Sequence, residues 1–149
     1  MLHASSSSAP FVALAARLAT PAVRWLALLG LCAAYLQGGL TKATDFPSAI
    51  AEMNHFGLFP PAPLAILVIL LELGASLKIL SCFYRWLGAL ALAGFTLLAT
   101  FLANQFWSAP MPERLMLENS FFEHLGLVGG FLLVAWHDLR DRAAQSAVP

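Results

Sequence analysis

The hydrophobic pattern divides the chain into four long apolar runs: approximately Ala22–Thr41, Ala62–Ser81, Trp86–Trp107 and Ser120–Trp136. Each is close to the ~20 residues that carry a helix across the ~30 Å hydrocarbon core of a bilayer. The pattern therefore predicts an all-α integral membrane protein, a four-transmembrane-helix bundle. Between the first two runs, Asp45–Phe59 places Ile50, Met53 and Gly57 on one helical face, with Glu52 and His55 elsewhere. That spacing predicts a short amphipathic interfacial helix. Gly57 ends it, and Pro60, Pro61 and Pro63 break the chain before the second run. Residues 1–20 predict a flexible, Ser-rich tail and an interfacial segment. Residues 21–138 predict the membrane domain, and 139–149 a polar, frayed tail. The connection Ser108–Asn119 holds two prolines and room for one more short surface helix.

The second run, APLAILVILLELGASLKILS, carries one carboxylate, Glu72, near its centre. At the bilayer midplane a charged side chain costs roughly 2.5 kcal/mol or more on insertion scales, so its presence calls for a use or a partner. Glu72 shares a helical face with Ala65, Val68, Ala75, Ser76 and Ile79, a mostly small surface that lets a neighbouring helix come close. Lys78 lies roughly 240° around the helix, a poor partner that is expected to snorkel to the nearer interface. An isolated carboxyl at this depth is expected to be neutral at pH 7 unless it is paired or hydrated.

Six further polar side chains, Gln37, Lys42, Asn104, Gln105, Glu123 and His124, fall in the outer third of their spans. A bundle would let them converge on an outward-opening polar pocket with Glu72 as its floor, able to hold water, a proton or the polar head group of an apolar ligand such as a quinone. The bland alternative is that they reach interfacial water, and that a protonated Glu72 only locks helix packing. His55, Glu118, Glu123 and His124 have no regular metal-ligand spacing, so no metal site is expected. Gly126 and Gly130 form a GxxxG, read as a packing signal.

Composition fits the same picture. Of 149 residues, 60% are hydrophobic and 11% charged, against about 25% charged in soluble domains. The formal net charge is zero and no basic stripe exists, which sets nucleic-acid binding aside. Cys32 and Cys82 differ in depth by more than ~10 Å, which predicts two free thiols. The first run begins at Arg24–Trp25 and continues through Leu40, so it reads as an uncleaved helix rather than a signal peptide. Arg17, Arg24, Arg85, Arg140 and Arg142 fall on one side of the four runs, with Lys78. Lys42 and Arg114 fall on the other, so the positive-inside rule predicts cytoplasmic termini.

The order of several motifs resembles the DoxX family of small four-helix membrane proteins. These are Arg24 before the first run, Gly39 with Lys42 at its end, and Phe56–Gly57 with Pro60 and Pro61. Glu72 in LLELGA, Tyr84–Arg85, Phe106–Trp107 and LGLVGGFLLVA follow. Together they span roughly Arg24–Ala135. The resemblance implies a four-helix bundle in a bacterial cytoplasmic membrane and a redox association, since the family name derives from subunits linked to thiosulfate:quinone oxidoreductase. The chain departs from the family pattern in two places. Asn104 and Gln105 stand where the family commonly has His, and Glu123 and His124 stand where it commonly has Lys-Asn. Three readings follow. The first is a membrane subunit of a quinone-linked redox system, with a partner redox protein. The second is a small proton-coupled transporter or permeability element, as a homo-oligomer. The third is a non-catalytic anchor or assembly factor. The chain has no catalytic or cofactor motif of its own, so a quinone would be bound non-covalently and electrons would come from the partner.

Overall fold

The computed structural model describes Ala16 and residues 19–147, and five helices follow one another in chain order within residues 19–147. They are α1 (Pro21–Thr44), α2 (Phe46–His55), α3 (Pro61–Leu80), α4 (Arg85–Ala103) and α5 (Glu113–Ser146). No strand occurs among the described residues. The expected N-terminal tail and Arg17 lie outside them.

Local chemistry sets the boundaries. Thr20 Oγ1 accepts from Val23 N at 3.3 Å and Pro21 occupies the first helical position, two signals that start α1. Only Asp45 separates α1 from α2. Its Oδ1 accepts from Ser48 N at 3.2 Å and caps α2. Gly57, at φ +67°, takes the left-handed conformation just past α2, and Pro61 opens α3. The α3–α4 turn uses two left-handed residues, Cys82 and Tyr84. It is held by Arg85, whose Nε donates to the Ile79 carbonyl at 3.0 Å and answers a group the helix end leaves open.

α1, α3 and α4 are each long and apolar enough to cross a membrane. Their outward faces carry Leu26, Leu67, Leu70 and Phe101, all more than half exposed, a surface suited to lipid rather than water. The expected fourth run lies inside α5, which differs from the expectation. Its 34 residues make a rod of about 51 Å that runs through the predicted surface connection and the predicted frayed tail. Its longest stretch without Asp, Glu, Lys or Arg runs from His124 to His137, about 21 Å of helix, and it is not among the three spans. Polar residues mark a change of surroundings there, but no Pro or Gly between Glu113 and Ser120 ends the helix.

α4 packs most extensively on α5, and α3 lies against both α1 and α4, whereas the backbones of α1 and α5 come close at only a few positions. The core centres on the edge-to-face pair Tyr35–Phe131, with ring centroids 5.3 Å apart, and on Cys32, Ile79 and Leu92. Two glycines make the crossings close. A Cβ on Gly39 would lie 2.8 Å from Leu73 of α3, and one on Gly88 would lie 2.6 Å from the Ala75 carbonyl oxygen. The GxxxG expectation holds in part: Gly130 meets Leu31, but Gly126 has nothing within 4 Å. Cys32 is buried, Cys82 exposed, and both thiols are free.

Asp138 joins the far end of α5 to α4. Its Oδ2 accepts from Trp86 N at 3.2 Å and from Arg142 Nε at 2.9 Å, so it caps α4 from another helix. Asp138→Ala is expected to cost about 1–2 kcal/mol, read as a lower unfolding midpoint in detergent. An unchanged midpoint would show that solvent caps α4 equally well.

Candidate functional site

At the end of the bundle away from Arg24 and Arg85 lies a cavity of about 490 Å³. Its walls are mostly apolar, with Val68 from α3, Phe95, Leu98 and Leu102 from α4, and Leu127 from α5. α2 and its following turn cover it with Met53, Phe56 and Leu58. α2 does more than rest on a membrane surface, because Ala49 and Met53 are buried against Ala65 of α3. This packing brings Glu52 over the opening.

Glu72 stands in this chamber with 5% of its surface exposed. It has the partner that its depth demands. Lys42 Nζ lies 3.5 Å from Glu72 Oε1 and 3.7 Å from Glu52 Oε2, so one ammonium bridges a buried carboxylate and a half-exposed one. Lys42 therefore points into the bundle instead of snorkelling outward. Glu72 Oε2 is buried and has no hydrogen-bond partner among the described residues. Gly38 leaves the room around this group, since a Cβ there would sit 3.6 Å from both Glu72 Oε2 and Lys42 Nζ.

His124 reaches the cavity from α5. Asn104 Nδ2 lies 2.7 Å from its Nδ1 and 3.1 Å from Thr100 Oγ1. An amide nitrogen only donates, so in this pairing His124 Nδ1 is the acceptor and Nε2 the nitrogen left to donate. Deeper in the chamber Tyr35 donates to Thr96, whose hydroxyl donates to the Leu92 carbonyl. The cavity thus offers an ammonium, a free carboxylate oxygen and a positioned imidazole on an otherwise apolar lining.

Of the seven candidate residues, Glu72, Lys42 and His124 line the cavity, and Asn104 stands behind His124 as its positioning partner. The other three do not join them. Gln37 is exposed and donates to Thr41, Gln105 is exposed and donates to the Phe101 carbonyl, and Glu123 faces outward. Their depth is right, but their angle around the helix is wrong. Lys78 lies over the Phe83 ring at 5.1 Å, away from Glu72. Glu52, Tyr35 and Thr96 line the cavity, and Thr100 bonds Asn104 beside it; sequence reasoning missed all four. Spacing held a signal for three of them: Tyr35, Gly38 and Lys42 recur at i, i+3 and i+7, and Thr96, Thr100 and Asn104 at i, i+4 and i+8.

The DoxX family model matches residues 24–105. The inner membrane protein YqjF of Escherichia coli (strain K12) is 35% identical over 101 residues, 68% of this chain and 72% of that protein. No solved structure matches. The matched stretch contains Lys42, Glu52 and Glu72 and stops before His124.

Proposed function

The chain belongs to the DoxX family of membrane proteins, and on that footing we propose that it is a four-span inner-membrane subunit whose cavity holds a quinone head group for a partner redox protein. The central part of α5 serves as the fourth span. Arg24, Arg85, Arg140 and Arg142 gather at one end of the bundle, and the positive-inside rule puts that end in the cytoplasm. The cavity then opens outward. The relative in Escherichia coli is named as an inner membrane protein, which supports the location.

One observation carries the ligand reading: the buried, half-satisfied carboxylate of Glu72 in an apolar chamber of about 490 Å³. Pockets for small ligands span about 300–1,000 Å³ and place a few polar groups on apolar walls. Phe95, Leu98 and Leu127 suit the ring and the start of an isoprenoid tail. Lys42 Nζ and His124 Nε2–H suit a carbonyl oxygen, and Glu72 Oε2 suits a hydroxyl. A bound quinone supplies two-electron, two-proton carriage. The chain's own residues bind and orient the head group and, through α2, exclude water.

The protein purified in mild detergent from its own membranes is expected to contain extractable quinone near one per chain by mass spectrometry. Glu72→Gln should keep the fold, because Lys42 still pairs with Glu52, and should retain about tenfold less quinone, the loss expected for one charge-assisted hydrogen bond in a buried site. Wild-type protein without quinone would remove the reading. A stable protein partner in that case would point to the anchor role.

A further inference from the structure

At the opposite end of the molecule two cavities of about 360 and 660 Å³ share Arg24, Ala27, Leu28 and Arg85. The first is a cleft between α1 and α5, whose backbones come close at only a few positions. Its lower walls are Leu31, Leu133 and Val134, and it narrows where Gly130 meets Leu31. Its rim carries Arg24, Arg85, His137 and Asp141. We infer that this cleft is a binding site for an anionic phospholipid, with the phosphate between the Arg24 and Arg85 guanidinium groups and one acyl chain lying along α1 towards Leu31.

The charge balance of the rim favours an anion. Arg24 makes no ion pair and no side-chain hydrogen bond among the described residues. Arg85 is 6% exposed and uses two of its five N–H groups, on the Ile79 carbonyl and Cys82 Sγ. Asp141 forms no ion pair with either arginine. The neighbouring carboxylate, Asp138, is already taken by Arg142 and the Trp86 amide. Two guanidinium groups thus face one free carboxylate. Arginine matches phosphate with paired N–H groups, and basic pockets between membrane helices bind anionic lipid head groups.

The dimensions favour a lipid over a free phosphate. Trp25 lines the adjoining cavity and is half exposed, a residue suited to head-group depth. Leu31 lies six residues beyond Trp25 along α1, about 9 Å deeper. The polar rim and the apolar cleft are therefore stacked in the order in which a phospholipid presents its own head and chain. The inference rests on the chain lying in a bilayer and is independent of the quinone reading.

The test is lipid titration of delipidated, full-length protein by native mass spectrometry, with phosphatidylglycerol and phosphatidylethanolamine of identical acyl chains. Phosphatidylglycerol is expected to bind at least about fivefold more tightly, the factor for one basic contact of about 1 kcal/mol. Arg24→Gln should bring the two lipids level, and Arg24→Lys should restore part of the difference. Arg24 is exposed and its replacement leaves the core intact. Leu133→Trp, also at an exposed position, should weaken both lipids by filling the cleft. Equal affinity for the two lipids in the wild type, or an unchanged preference in Arg24→Gln, would overturn the inference. So would displacement of phosphatidylglycerol by millimolar inorganic phosphate, or a lipid-free dimer that closes the cleft.

Discussion

Lys42→Met should lower the stability of the detergent-solubilised protein by about 3 kcal/mol, the low end of what breaking a buried ion pair costs. Methionine fills the space of the lysine stem, so the loss is mainly electrostatic. It leaves Glu72, 5% exposed, with neither oxygen answered. The reverse change is milder, because in Glu72→Gln the ammonium keeps Glu52 at 3.7 Å. Combining Lys42→Met with Glu72→Gln should recover most of the loss, with a coupling of about 2 kcal/mol between the two sites. Thermal unfolding of the four proteins measures it. Additive effects would mean that the 3.5 Å approach of Lys42 to Glu72 contributes nothing to stability.

Gly88→Ala should be the most damaging single methyl group added to the fold. Its Cβ would stand 2.6 Å from the Ala75 carbonyl oxygen, 3.0 Å from Lys78 Cβ and 3.2 Å from Ile79 Cγ1. The first of these is backbone and cannot rotate away, so α3 and α4 must separate and loosen the packing around Ile79 and Leu92. Overpacking of this kind costs about 1–3 kcal/mol, and this case belongs at the top of that range. Gly39→Ala provides the comparison. Its close neighbours are Cγ and Cδ2 of Leu73 at 2.8 Å and Glu72 Cβ at 3.3 Å, side-chain atoms of which the Leu73 pair can move by a rotamer change. Unfolding midpoints should therefore fall further for Gly88→Ala than for Gly39→Ala. The opposite order would identify α1–α3 as the less yielding crossing.

The sequence made the inward face of α3 legible in full. Ala65, Ala75, Ser76 and Ile79 are buried alongside Glu72, because helical periodicity fixes which side chains share a face. The polar groups near the outer ends were harder to sort. Lys42, Gln105 and Glu123 have similar depth, but only Lys42 turns inward, drawn by two carboxylates on other helices. Rise per residue gives depth, whereas the angle towards the bundle axis depends on which neighbours pack, and α1 and α4 present mixed faces. Glu52 was hidden for another reason. Its place at the cavity follows from the packing of Ala49 and Met53 on Ala65 of α3, a tertiary contact that no periodicity reports. α4 ends at Ala103, short of the predicted Trp107. Asn104 bonds Thr100 and His124 there, and Phe106 and Trp107 pack with Phe121 past the helix end.

The bridge between Glu52, Lys42 and Glu72 also bears on how the chain is made. Lys42 precedes Glu72 by 30 residues, so a ribosome releases the ammonium first. When α3 leaves the translocation channel, its carboxylate meets a partner that already waits at the end of α1, with Glu52 synthesised between them. The insertion penalty of roughly 2.5–3.5 kcal/mol for a lone acidic residue at mid-helix is thus met during synthesis and not after release. α1 to α3 is the shortest nascent chain that carries its own counter-charge. α4 then joins a segment in which no unmatched charge remains at the level of Glu72.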